Sequence, residues 1–101
     1  MDQLKGSQRR RLRSLAHGLR PLAQVGKQGM TDTVVQAVDE ALEAHELIKV
    51  KFVERKGEKR AISEAIALRT ASHLVGIVGH VATFYRRQED DAKRAIELPD
   101  G

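Results

Sequence analysis

The sequence predicts a single α/β domain with the order α-β-α-β-α-β-β, a four-stranded mixed sheet covered by helices. Three observations carry this expectation. Three segments repeat apolar residues at helical spacing. The segment Leu47–Val53 alternates apolar and basic residues, as a strand with one buried face does. Leu74–Val78 and Ala82–Arg86 flank a Gly-His pair, as the arms of a hairpin do. With 101 residues, 41% of them hydrophobic, the chain can bury one core and is too short for two.

The first helix is expected near Ser7–Leu19, where Leu12, Leu15, Ala16 and Leu19 form one buried stripe. Ser7 is a candidate N-cap, and Gly18 and Pro21 mark the end. Arg9, Arg13 and Arg20 lie along one flank of that stripe, and Arg10 and His17 continue outward. Pro21–Val25 is a short strand candidate, followed by the tight loop Gly26-Lys27-Gln28-Gly29. A second helix opens at Thr31, with Asp32 in its first turn, where the helix dipole favours an anion. Val34, Val38, Ala41, Leu42 and His45 form its apolar stripe, with Asp39, Glu40, Glu43 and Glu46 on the far, exposed side.

In the next strand Ile48, Val50 and Phe52 point one way, and Lys49 and Lys51 the other. Arg55–Arg60 is a basic turn, and a third helix from about Glu58 to Ala71 buries Ile62, Ala65 and Ile66. Gly79 and His80 join the last two strands. From Gln88 the chain turns acidic and reads as a flexible tail. The expected division is therefore one domain over residues 1–88 and an acidic tail over 89–101.

Charge falls in blocks. It is +6 over residues 1–30, −5 over 31–46, +4 over 47–60, +2 over 61–88 and −3 over 89–101. Such blocks give one small domain faces of opposite sign, and a basic face suits a polyanion, nucleic acid before an anionic membrane surface. No apolar run approaches the roughly 18 residues of a membrane span, and no secretory segment follows Met1. A cytoplasmic protein without a membrane partner is expected. Cysteine is absent, which excludes disulfides, thiol nucleophiles and thiolate metal sites. The aromatic residues are Phe52, Phe84 and Tyr85, too few for an aromatic base-stacking platform.

Three candidate binding features stand out. Gly26-Lys27-Gln28-Gly29 is a GxxG loop between a strand and a helix. Its glycines permit positive φ and close backbone approach to a phosphate, and Lys27 adds a charge at the tip. The following helix aims free N–H groups at the same place. The bare pattern also occurs as an ordinary turn, and it is neither a Walker loop nor a dinucleotide fingerprint. The second feature is Arg9, Arg10 and Arg13 with His17, on a helix without any acid; arginine presents a planar fork to phosphate. The third is Lys56, Lys59 and Arg60, which could equally be a charged turn. His17, His45, His73 and His80 have no metal-ligand spacing, and His45 reads as a packed residue of the apolar stripe. No catalytic constellation emerges, so no enzyme activity, metal, cofactor or small-molecule substrate is expected.

The segments Gln8–His17, Val25–Thr31 and Ala41–Lys51, with Leu74–Gly79 and Phe84–Arg86 at the close, resemble the CRM domain (chloroplast RNA splicing and ribosome maturation). The resemblance runs from about Leu4 to Arg87, and a stand-alone copy of this size is similar to the bacterial YhbY proteins. It implies an α/β fold like the C-terminal domain of translation initiation factor three. It also implies RNA binding through Gly26, Lys27, Gln28 and Gly29 and an adjoining basic surface, onto which Arg9, Arg10 and Arg13 map. Ribosomal RNA and large-subunit precursor particles are the implied partners, met by a monomer. Gly76 departs from the family's pattern, which often has a polar residue there. The competing reading is a protein adaptor that docks basic ribosomal proteins through the acidic helix around Asp39–Glu46.

Overall fold

The structure, a computed structural model, describes residues 3–100. Its main elements are α1 (Gly6–Ala16), β1 (Ala23–Val25), α2 (Asp32–His45), β2 (Leu47–Phe52), α3 (Lys59–Arg69), β3 (His73–Val78) and β4 (Val81–Tyr85). Single turns of 3-10 helix lie at Lys56–Glu58 and Asp91–Lys93. The strands form one mixed sheet in the order β1-β2-β4-β3, with β1 parallel to β2 and the other neighbours antiparallel. Helix α2 is the crossover that parallel pairing of β1 and β2 requires.

Alternation along the strands sorts two cores onto the two faces of the sheet. On one face Val38 and Leu42 of α2 and Ile66 of α3 pack on Val25, Ile48, Val50, Phe52 and Phe84. On the other, Leu12 and Ala16 of α1 pack on Leu47, Val75 and Tyr85. Helix α1 is shorter at its C-terminal end than its stripe predicts. Leu19 donates its backbone N–H to Ala16 in a closing turn and remains 40% exposed. The start is also corrected. Lys5 is the N-cap, its backbone N–H donating to Gln8 Oε1 at 2.9 Å, whereas the Ser7 hydroxyl lies inside the helix, buried and unpartnered.

The largest correction concerns residues beyond Gln88, which fold back onto the domain. Glu46, expected on an exposed face, is 1% exposed. Its carboxylate accepts from the backbone N–H of Gln88 (2.9 Å), Ala95 (2.7 Å) and Ile96 (3.1 Å). Ile96 and Leu98 pack against the α1 core, while Lys5 Nζ and Gln8 Nε2 donate to the carbonyls of Asp100 and Pro99. The cause is local: Glu46 ends α2 with φ 62°, so the helical wheel no longer describes where its side chain points. Among the described residues no helix is long and apolar enough to cross a membrane.

Candidate nucleic-acid interface

Sheet topology gathers three loops at one end. Parallel β1 and β2 both finish there, at the paired Val25 and Phe52, and antiparallel β4 begins there, with Val81 beside Lys51. The loop after β1, the turn after β2 and the β3–β4 hairpin therefore meet.

The GxxG loop closes through the Gly29 N–H, which donates to the Gly26 carbonyl at 3.0 Å. Gly29 needs to be glycine: its φ is 69°. Gly26 lies outside the positive-φ region with open space where a Cβ would stand, so the freedom expected of both glycines is used by one. Lys27 and Gln28 are exposed at the tip. Arg55, missed as a site residue, ties this tip to the basic turn: its Nε donates to the Lys27 carbonyl at 2.8 Å. Lys59 ties the turn to the hairpin, its Nζ lying 2.6 Å from the Gly79 carbonyl and 3.4 Å from His80 Nδ1. Lys56 and Arg60 stay exposed, Arg60 at 3.8 Å from Glu64.

The N-terminus of α2 is less open to an anion than its position suggests. Thr31 Oγ1 accepts from the Val34 N–H at 3.1 Å, and Asp32 already places a carboxylate at the positive end of the dipole.

Helix α1 divides its basic residues between two tasks. Arg10, Arg13 and His17 face solvent. Arg9, expected beside them, is half-buried; its Nη1 donates to the carbonyls of Leu74 and Val75, both at 2.9 Å, and fastens α1 to β3. Lys49 and Lys51 are further cations missed as site residues. The alternation of β2 had already placed both on one face.

The histidines do not converge. His45 is exposed rather than packed, because it stands at the very end of α2, where the chain leaves the helix. His73 stacks on Tyr85 with ring centroids 6.2 Å apart, and burial, then the nearby Arg9 charge, hold its pKa below the ordinary value. His80 is likewise lowered, by desolvation and then by Lys59 and Lys56, a sign of the local positive potential.

The acidic helix face is narrower than expected. Arg86 pairs with Asp39 and with Glu43, the latter at 3.3 Å, and donates to the Thr70 carbonyl at 2.8 Å. With Glu46 buried, little unpaired acid remains to dock a basic protein.

Known proteins resemble this chain in sequence and in fold. The CRS1/YhbY (CRM) domain family matches residues 4–86. The chain is 40% identical to the probable RNA-binding protein YqeI of Bacillus subtilis over 97 residues, 95% of this chain and 99% of that one. It is 39% identical to an RNA-binding protein of Haemophilus influenzae over 100 residues, 98% of each chain. The solution structure of a hypothetical protein from Staphylococcus aureus, described as a candidate RNA-binding protein, superposes with a TM-score of 0.82 at 37% identity. That match covers 96% of this chain and all of the other. With a matching family domain, full-length relatives and the same fold in agreement, the chain belongs to the CRS1/YhbY (CRM) domain family.

Proposed function

We propose that the domain binds ribosomal RNA in precursors of the large ribosomal subunit and assists their assembly without catalysing a reaction. The observation that supports this reading is the meeting of the GxxG loop, the basic turn and the hairpin at one end of the sheet. There Lys27, Lys56 and Arg60 present charge to phosphates, loop amides can approach the backbone, and Arg10 and Arg13 extend the basic surface along α1. Folded RNA would be selected chiefly by its shape, since Phe52, Phe84 and Tyr85 are all buried and offer no stacking surface. The adaptor reading loses support because Arg86 engages Asp39 and Glu43.

Crosslinking in cells, followed by sequencing of the attached RNA and sedimentation of the particles, tests the proposal. The parent protein is expected on large-subunit RNA in precursor fractions, and the variant carrying Lys27→Ala and Lys56→Ala is expected to leave them. Crosslinks spread over messenger RNA, or a double variant that still sediments with precursors, would overturn it.

A further inference from the structure

Helix α1 ends at Ala16, and beyond it this face of the sheet is only partly covered, by the segment that follows the helix, where the Leu19 carbonyl accepts from Lys49 Nζ at 3.2 Å. The register places Lys49 beside Thr83, Lys51 beside Val81 and Gln24 beside Lys51 on this face. Val78 pairs with Val81 at the hairpin. Between these strands and the end of α1 lies a cleft of about 370 Å³, walled by Arg13, His17 and Pro21 and floored by Val78, Val81 and Thr83. Its size falls at the lower end of the range for small-ligand sites, about 300–1,000 Å³.

Two properties define what the cleft fits. The first is charge. No Asp or Glu occurs in residues 3–31, 47–53 or 65–88, the segments that supply α1, the strands and the loop between α1 and β1. Arg13, Lys49 and Lys51 therefore face no opposing carboxylate from those elements. The second is exposed apolar surface. Val78 is 78% exposed and Leu19 40%, although each stands beside basic residues. An apolar floor between cations suits a ligand that combines a flat apolar plane with negative charge. The face also runs into the GxxG end, because Gln24 and Lys51 lie one strand position before Val25 and Phe52.

We infer that this reverse face seats one unpaired nucleotide of the RNA strand held at the GxxG loop. The base lies against Val78 and Val81, and the flanking phosphates meet Lys51 and Arg13. A duplex does not meet the requirement, because its bases are stacked and paired and present no free plane. The inference rests on the RNA-binding reading of the loop end.

The test compares the parent with Val78→Asn and Lys51→Gln, both at exposed positions where folding is not at stake, and with Lys27→Ala in the loop. The probes are a short oligouridine and a blunt RNA duplex. Val78→Asn is expected to weaken oligouridine binding about fivefold, the scale of one lost apolar contact. It should leave the duplex within about twofold, a shift of less than half a kcal/mol. Lys51→Gln should show the same selectivity with a smaller loss. Equal losses on both probes would mean only a general charge effect, and parent-like binding of both would mean an idle face; either result overturns the inference. Lys27→Ala separates the two claims. If it binds both probes normally while Val78→Asn loses oligouridine, the face stands and the loop reading fails. A parent protein that binds neither probe defeats both.

Discussion

The two ends of the sheet are built by opposite means. At the GxxG end, cations stay in solvent and short loops hold one another through backbone carbonyls, as Arg55 holds Lys27 and Lys59 holds Gly79. At the far end a single carboxylate, Glu46, is withdrawn from solvent and organises a segment more than forty residues away in sequence. Exposed like charges contribute little to stability and leave an end free to bind a polyanion. A buried, fully hydrogen-bonded carboxylate contributes to stability and offers nothing to a ligand. On the proposed function, the difference separates a binding end from a closing end.

Breaking the closing end should have the largest effect. Glu46→Ala leaves three backbone N–H groups without their acceptor. Urea denaturation is expected to show a loss on the order of 3 kcal/mol, with RNA affinity of the folded protein unchanged. Glu40→Ala, on the exposed side of α2, should stay within about 0.5 kcal/mol. Truncation after Gln88 removes the packing of Ile96 and Leu98, and the domain should lose about 1–3 kcal/mol and melt earlier. RNA affinity should then be equal or slightly higher, because a segment of charge −3 has gone. An unchanged melting temperature would mean that the tail is free, as its composition alone suggests.

Breaking the binding end should show the reverse pattern. Lys27→Ala is expected to cost about 1 kcal/mol of RNA binding and almost no stability. Gly29→Asp should cost more binding, since it sets a carboxylate beside the phosphate path, and it should also destabilise, because φ is 69° there. Circular dichroism before titration separates the two effects.

The smallest effect is a pH dependence at the closing end. His73 has a pKa held below its ordinary value by burial and by Arg9, so the folded state resists its protonation. Its contribution is fully present above the unfolded pKa of about 6.5 and is lost as pH falls through the lower folded pKa. Melting temperature should therefore drop on acidification from neutral pH, and less steeply in His73→Gln. An equal drop in the variant would assign the dependence to other groups.

The element order was legible in the sequence because each element carries its own local period. Ile48, Val50 and Phe52 alternate, Val38 and Leu42 recur at helical spacing, and Thr31 caps α2 as expected. The loop end was legible for the same reason: glycines and cations within a few residues declare a turn that faces water. What escaped depends on tertiary partners or on a single dihedral. Arg9 looked like its neighbours until β3 offered two carbonyls. Glu46 followed a helical wheel that its own φ of 62° had already left. The tail looked solvated because its acids outnumber Ile96 and Leu98, and nothing local reveals that a carboxylate far upstream accepts its N–H groups.

RNA is expected to meet one end of the sheet and not the other. Amide chemical-shift mapping during titration with a large-subunit ribosomal RNA fragment tests it directly. Shifts should concentrate in residues 26–29, 55–60 and 78–81, with the amides of Gln88, Ala95 and Ile96 unmoved. Shifts centred on the tail and the acidic side of α2, with the GxxG loop silent, would contradict it.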